Sequence, residues 1–390
     1  MRPRAGLWAL GLQALARGAL ATVFSLLLLE KGVSLARLPV AMGCYSAVAL
    51  LAELPSGFLA DLAGRRCTFL AAQAVQGLGL AALMAARGPG PVFFAIVLMG
   101  LARALSSGSM EALVVELFLG SEGPGSLPRV TMLLEVSDTA GMALGALAGG
   151  VLHWWGGGSQ PALAISLAFT LASLATAALL TREPASAGTR SPRPDPRAQL
   201  SLAAGCLRQG QALPGVMVSA ALTGWLISGL ETYWQPRFTG LLDPGRLWLL
   251  GVLGGCYYLA SVEGSVLGER LLRRFSPWQL MRTGGPAAAL VMAALSLAAG
   301  PALFFVLYLL VYLLIALPNL AQTVILNQNA PEAVRATLLS VKGLALQLGG
   351  LAGSAFAALT VERLGIPGLW TISAAVFATG ILLTARRTQP

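Results

Sequence analysis

Apolar residues occur in long runs along this chain, and short segments rich in Gly, Pro and Arg separate the runs. A membrane-spanning helix needs about 20 mainly apolar residues. Twelve runs are long enough to be predicted as transmembrane helices. The first run carries Arg17 in its middle and is too long for a signal peptide, so we interpret it as a retained helix. The predicted helices are residues 7–29, 38–60, 67–87, 91–118, 130–154, 161–181, 211–235, 247–268, 277–299, 302–327, 333–358 and 365–385.

The composition supports a membrane protein. Apolar residues make up 56% of the chain and charged residues 11%, whereas soluble domains carry about 25% charged residues. This difference excludes an ordinary water-soluble enzyme. A net charge of +10 would suggest a nucleic-acid partner in a soluble protein, but basic cytoplasmic loops account for it in a membrane protein. We therefore expect a lipid bilayer, and no nucleic acid, as a partner.

Residues suited to catalysis or metal binding are scarce. The four cysteines show no paired spacing, and His153 is the single histidine. The sequence contains no P-loop, no H-E-x-x-H motif and no G-x-S-x-G motif. We expect no catalytic residue, no metal site and no cofactor, which makes a membrane-embedded enzyme the least favoured functional class.

The distribution of basic residues predicts the orientation. With the N-terminus inside, 17 Lys and Arg residues fall on the cytoplasmic side, six fall outside and three lie within the runs. Both termini are thus predicted to be cytoplasmic. Segment 182–210 is rich in Pro, Ser and Arg, which predicts a flexible cytoplasmic linker between six-helix bundles at 1–181 and 211–390. The bias towards Ala, Gly and Arg is typical of a GC-rich bacterial genome and favours the cytoplasmic (inner) membrane.

A short charged pattern recurs in the two halves. Segments 61–66 and 269–274 both read acid-x-x-x-Arg-Arg, and they lie 208 residues apart. Each segment follows the second predicted helix of its half. This placement favours two parallel repeats.

Several motifs resemble those of one membrane-protein family. The sequence GFLADLAGRR at 57–66 resembles the loop between helices two and three of the major facilitator superfamily, and ELPS at 53–56 is similar to the lead-in of its bacterial drug-efflux-like members. Segment 141–150 resembles the antiporter motif, with Ala146 in place of its proline. Arg103 resembles the arginine of a further motif, whose glycine stands one position late. The resemblance implies an all-α membrane protein of 12 transmembrane helices in two parallel six-helix repeats around a central cavity.

The resemblance also implies a latch at the cytoplasmic ends of helices two to four. In the superfamily the loop aspartate contacts the opposite half, and an acid that ends helix four joins the cluster. Cytoplasmic anchoring explains the arginines equally well but does not explain the acid. The latch residues are Gly57, Asp61, Gly64, Arg65, Arg66 and Glu116.

The antiporter-like segment contributes a second set of residues, all of them glycines. Their small-x-x-x-small spacing allows two helix backbones to approach closely. The resemblance adds a role in sealing the cavity, and packing alone is the alternative. These residues are Gly141, Gly145, Gly149 and Gly150.

Charged residues inside the predicted helices are the clearest chemical signal. Each charge at the bilayer centre costs about 2.5–3.5 kcal/mol on insertion scales, so these groups must line a polar cavity or pair with one another. Glu135 and Asp138 share one helix face, where two carboxylates seldom both stay ionised. Asp138 is the preferred proton carrier, and structural pairing with an arginine is the alternative. The residues predicted to couple protons are Asp138, Glu111, Arg103 and Glu135.

The predicted substrate cavity includes Glu231, which stands beside Tyr and Trp residues. A carboxylate among aromatic rings suits an organic cation, although an interfacial aromatic belt also explains the rings. In the tenth helix a kink at Pro318 is expected to expose unwound backbone. Superfamily cavities are lined chiefly by helices one, four, seven and ten. The predicted cavity residues are Arg17, Glu111, Glu231, Tyr233, Trp234, Gln235, Tyr312, Asn319 and Gln322.

The favoured function is a secondary transporter that works by alternating access and couples protons to the efflux of an amphipathic small molecule, which is a cation if Glu231 binds it. Symport or uniport of an organic anion stays open, because Arg17, Arg103 and Lys342 suit an anionic substrate. A receptor or scaffold on a transporter fold is the alternative from another class. The expected partners are a small-molecule substrate, protons and the lipid bilayer, and the chain is expected to be a monomer.

Overall fold

The computed structural model describes residues 3–181, 196–209 and 212–387, and within these ranges the chain contains helices and no β-strand. The prediction of an all-α protein is thus confirmed for this part of the chain. The helices are α1 (Pro3–Ala21), α2 (Phe24–Glu30), α3 (Leu38–Ala63), α4 (Arg65–Ala85), α5 (Pro89–Ser106), α6 (Ser109–Glu122), α7 (Leu127–Trp155), α8 (Gln160–Leu180), α9 (Pro196–Gln209), α10 (Ala212–Thr239), α11 (Leu249–Leu272), α12 (Pro277–Ser296), α13 (Pro301–Asn329) and α14 (Arg335–Arg387).

Nine helices in the described ranges are long and apolar enough to cross a membrane, or ten if α1 and α2, which are bent by 53°, form one span. Two features explain why this number is smaller than the twelve predicted helices. The 53 residues of α14 include Gly365, whose φ of 66° is not helical, so α14 consists of two helical segments. Helix α12 has 20 residues but includes Gln279 and Arg282, which lower its hydropathy. The count of twelve stays a prediction.

Three local features differ from the sequence-based expectations. The fourth predicted helix is divided into α5 and α6 at Gly108, whose φ of +66° interrupts the helix. Helix α13 continues through Pro318, so the expected unwound backbone is absent there. Loss of one backbone donor at proline does not by itself end a helix that is packed on its neighbours. Residues 196–209 form α9 rather than a flexible linker, and Ala203 packs in a buried apolar cluster.

The chain divides into two compact units. Unit 1 contains residues Met1–Thr189 and Leu242–Tyr258, and unit 2 contains Arg190–Leu241 and Leu259–Pro390. The predicted linker residues 182–195 and 210 lie outside the described residues. The core of unit 1 includes Ala9, Phe69, Met110, Leu113, Val114, Phe118, Val130 and Ala177. An apolar cluster of unit 2 includes Ala203, Leu213, Val216, Ile325, Leu326, Ala330, Val334 and Leu338.

Glycines allow α1 and α7 to pack at very short range in unit 1. A Cβ on Gly141 would lie 3.0 Å from the Gly11 carbonyl oxygen, and one on Gly145 would collide with the carbonyl oxygen of Leu15. On the α1 side, a Cβ on Gly18 would collide with the Met142 backbone. Each of these positions therefore requires a residue without a side chain.

The same arrangement recurs between α10 and α14 in unit 2. A Cβ on Gly349 would collide with the carbonyl oxygen of Ala221, and one on Gly353 would lie 2.8 Å from that of Trp225. Gly349 and Gly353 follow Gly141 and Gly145 by 208 residues, which is the offset of the repeated acid-x-x-x-Arg-Arg pattern. The glycine contacts thus occupy equivalent positions in the two halves of the sequence.

Two adjacent charged residues hold helix ends together in unit 1. The Glu30 carboxylate accepts hydrogen bonds from the backbone N–H of Ser159 at 3.1 Å and from its hydroxyl at 2.8 Å, at the start of α8. The Lys31 ammonium donates to the carbonyl oxygens of Met84 and Ala86 at 2.9 and 3.1 Å, at the end of α4. An anion at a helix N-terminus and a cation at a C-terminus both complement the helix dipole.

We expect the Gly145→Ala substitution to destabilise the protein by about 1–3 kcal/mol, because the new methyl group would force α1 away from α7. Gly120→Ala is the matched control, since Gly120 lies in α6 with open space around it, and Ala favours a helix by about 0.5–1 kcal/mol over Gly. Thermal unfolding of the detergent-purified variants measures both effects. Equal melting temperatures would contradict the close packing of α1 and α7.

Candidate functional site

An ion pair joins Arg17 on α1 to Asp138 on α7 in unit 1. The Arg17 Nη2 atom donates to the Asp138 Oδ1 atom, and the side chains are 35% and 54% exposed. Gly18 and Gly141, which bring the two helix backbones together, lie one and three residues further along their helices. The pair therefore lies beside the closest approach of α1 and α7, where its carboxylate remains open to protons.

Other polar groups lie in the same region of unit 1. The Tyr45 phenol on α3 lies within electrostatic reach of both Arg17 and Arg103. The side-chain amide of Gln13 donates to the Ser106 hydroxyl at 2.6 Å, at the end of α5. None of these three uncharged residues is indicated by the sequence, because their proximity depends on which helices pack together.

The remaining residues predicted to couple protons are exposed. Arg103, Glu111 and Glu135 form no ion pair with any residue in the described ranges. Glu111 lies in the first turn of α6, directly after the break at Gly108. The structure therefore brings Asp138 together with Arg17, which the sequence assigned to the substrate cavity.

The two latch arginines bind different helices. The Arg65 Nη1 atom lies 2.7 Å from the Glu116 Oε1 atom on α6, whereas Arg66 Nη2 donates to the Ala178 carbonyl oxygen near the end of α8 at 2.7 Å. Gly64 connects α3 and α4 with a φ of +90°, a conformation that favours glycine. Asp61 belongs to α3, and its side chain lies outside the described part of the structure. The latch role stays a prediction.

Gly57 and the antiporter-like glycines differ in their surroundings. A Cβ on Gly57 would meet open space. Gly141, Gly145 and Gly149 face the α1 backbone, and Gly150 faces Gly251 within unit 1. Close backbone contact therefore explains why all four positions of the antiporter-like segment are glycines.

A second set of polar residues, in unit 2, joins α10 to α13. The Tyr312 hydroxyl donates to the Glu231 Oε1 atom at 3.4 Å. Glu231 is exposed, and Tyr312 is mostly buried. Among the described residues no basic side chain forms an ion pair with Glu231. Glu231 is therefore an exposed carboxyl group without an ionic partner among the described residues.

The residues that follow Glu231 pack inside unit 2. Tyr233, Trp234 and Gln235 are all buried, and the ring centroid of Trp234 lies 5.3 Å from that of Tyr308. These three side chains lie inside unit 2, and their contact with a substrate stays a prediction. Gln322 is also buried, and its amide donates to the Thr223 hydroxyl of α10 at 3.3 Å.

Asn319 is exposed on α13, and its side chain contacts a lysine of α14. Its Oδ1 atom accepts a hydrogen bond from the Lys342 Nζ atom at 3.1 Å, and the Thr323 hydroxyl accepts another at 2.7 Å. The sequence indicates Lys342 as a cation within a predicted helix but does not place it near Asn319. Thr323 is missed altogether, because a single hydroxyl in an apolar helix carries no signal of its own.

Comparisons with known proteins agree with this architecture. A family model described as Major Facilitator Superfamily matches residues 7–354. The structure is similar to that of the nucleoside transporter NupG, with a TM-score of 0.78 and 14% identity over 99% of this chain and 98% of that chain. It is also similar to a bacterial homolog of the human lysosomal transporter Spinster, with a TM-score of 0.71 and 16% identity over 99% and 94% of the chains.

A third similar structure is that of the POT family transporter PepTSo, with a TM-score of 0.73 and 12% identity over 99% of this chain and 98% of that chain. No curated protein matches the sequence. The family match and the transporter folds of the three structures indicate a multi-pass membrane transporter rather than an enzyme. Because the family model spans most of its length, the chain belongs to the major facilitator superfamily.

Proposed function

We propose that this protein is a secondary active transporter that couples proton movement to the efflux of an amphipathic, cationic small molecule by alternating access. The ion pair between Arg17 and Asp138 is the observation that carries this proposal. The proposal includes twelve transmembrane helices in two parallel repeats, with both termini in the cytoplasm of a bacterium. A monomer in the inner membrane is sufficient for this function.

Protonation of Asp138 would change the balance of charge between α1 and α7. The neutral carboxyl group no longer compensates Arg17, and an uncompensated cation in a membrane helix is costly. A conformation that offers Arg17 water or another acceptor then becomes relatively more stable. Since α1 and α7 pack backbone to backbone, movement of one helix affects the other. Proton binding can in this way shift the conformational equilibrium of unit 1.

Glu231 supplies the argument for a cationic substrate. Its carboxylate is exposed and accepts a hydrogen bond from a neutral hydroxyl. A substrate cation would provide the missing counter-charge through a charge-assisted hydrogen bond. The structural relatives are named for nucleoside and peptide transport or for a lysosomal transporter, and at 12–16% identity they share the fold alone. The substrate class therefore rests on the side chains of this chain.

Transport of an organic anion is the second candidate, and Arg103 favours it. This arginine is exposed near the end of α5 and forms no ion pair with a residue of the described ranges. An anionic substrate would find a cationic contact there. In this case Arg17 and Arg103, rather than Glu231, would determine the affinity of the protein for its substrate.

We expect Asp138→Asn to abolish proton-driven transport, because the amide cannot release or accept a proton at neutral pH. The effect is measured as the accumulation of radiolabelled tetraphenylphosphonium in proteoliposomes with an imposed pH gradient. We expect accumulation to fall at least about tenfold, which corresponds to about 1.4 kcal/mol. Exchange without a gradient is expected to persist. Glu263→Gln is the matched control, since Glu263 is an exposed carboxylate of α11 without an ion pair in the described structure and is not among the residues predicted to couple protons. Wild-type transport that ignores the pH gradient would overturn proton coupling.

We expect Glu231→Gln to weaken the binding of tetraphenylphosphonium about tenfold, because the substitution removes one charge and keeps the side-chain shape. Glu263→Gln in α11 is the control, since Glu263 is also an exposed carboxylate of unit 2. Equilibrium binding to the purified variants in detergent gives the affinities. Equal affinities for the two variants would contradict a cation site at Glu231. Loss of transport of an organic anion on Arg103→Ala would favour the second candidate.

A further inference from the structure

Lys342 is a buried lysine whose amine donates hydrogen bonds to neutral groups alone. It is 9% exposed and lies in α14. Its Nζ atom donates to the Thr323 hydroxyl at 2.7 Å, to the Asn319 Oδ1 atom at 3.1 Å and to the Asn319 carbonyl oxygen at 3.4 Å. No carboxylate of the described residues lies within 4.0 Å of this amine. These neutral dipoles orient the amine but supply no counter-charge.

The groups that hold Lys342 and Glu231 share one face of α13. Tyr312, Asn319 and Thr323 are separated by seven and four residues, which places them in one row along the helix. Tyr312 contacts Glu231 on α10, and the other two contact Lys342 on α14. Seven residues of α-helix extend about 10 Å. The positions on α13 that contact Glu231 and Lys342, Tyr312 and Asn319, are therefore about 10 Å apart along the helix.

We propose that this face of α13 binds a zwitterionic substrate, with a cationic group at Glu231 and an anionic group at Lys342. The inference rests on the proposed function and narrows its substrate from a cation to a molecule that carries both charges. A substrate with a cationic group alone would pair Glu231 and leave Lys342 without a counter-ion. A zwitterion of matching length neutralises both groups at once.

Asn319 provides access to the amine. Its side chain is exposed, whereas Lys342 lies beneath it. An incoming carboxylate can replace the Asn319 amide oxygen as the acceptor, while Thr323 continues to accept from the ammonium group. The exchange forms a charge-assisted hydrogen bond in place of a neutral one. The site thus needs a side-chain movement of one asparagine and no change in the helices.

A purely structural role for Lys342 makes a different prediction. A lysine that only ties α14 to α13 would affect stability when removed, without changing the preference of the protein for ligand charge. The test therefore compares ligands that differ in charge alone. An extended tripeptide spans about 10 Å. Trileucine is the zwitterion of suitable length, its C-terminal amide is the cation, its N-acetyl form is the anion, and the doubly blocked peptide is neutral.

Equilibrium binding of these four peptides to the purified full chain in detergent tests the proposal. We expect wild type to bind trileucine at least tenfold more tightly than the amide. Lys342→Met is expected to remove this difference. Asn319→Asp is expected to remove it as well, because the new carboxylate would neutralise Lys342 from within while keeping α13 tied to α14. Lys31→Met is the control, since Lys31 is the only other lysine of the chain and lies in unit 1, and it is expected to retain the preference.

The proposal is overturned if both Lys342→Met and Asn319→Asp keep the tenfold preference, if wild type binds the amide as tightly as trileucine, or if it binds none of the four peptides. Proton-driven transport of tetraphenylphosphonium is measured separately. Gradient-dependent transport without a preference for the zwitterion would retain the proposed function and reject the zwitterion site. A preference for the zwitterion without any gradient dependence would retain this site and reject proton coupling.

Discussion

Charged side chains in membrane helices are stabilised by an ionic or hydrogen-bonding partner, and this requirement explains three polar contacts in the two units. Three kinds of contact occur: an ion pair between Arg17 and Asp138, a hydroxyl that donates to Glu231, and an amide and a hydroxyl that accept from Lys342. Each contact joins two helices of the same unit. The energetic reason is shared, since a charge that lacks a partner at the bilayer centre costs about 2.5–3.5 kcal/mol.

Short helix separations make these contacts possible. Gly141 and Gly145 bring α7 against α1, and Gly349 and Gly353 bring α14 against α10. The offset of 208 residues between the two glycine pairs also relates Glu111 to Asn319. Packing between equivalent helices has therefore been kept in both halves, whereas the polar residues carried by those helices differ. The two halves thus share their helix packing but not the chemistry of their polar side chains.

The sequence predicts the framework well because apolar runs and small-residue spacing act over neighbouring residues. It predicts helices close to those observed and identifies Arg17, Asp138, Glu231 and Lys342 as polar groups within them. It fails where the outcome depends on contacts between distant segments, as for Arg17 with Asp138 and for Lys342 with Asn319. Local backbone geometry is equally hard to predict: the fourth helix breaks at Gly108, whereas α13 continues through Pro318.

The kind of partner distinguishes the two units. In unit 1 the partner of Arg17 is itself titratable, so a proton can remove its charge and break the pair. In unit 2 the partners of Glu231 and Lys342 are phenol, amide and hydroxyl groups, which stay neutral near pH 7 and supply no counter-charge. A pair that a proton can break suits a coupling site, since its charge must change during the cycle. Fixed charges held by neutral dipoles suit a substrate site, since their counter-ions arrive and leave with the substrate.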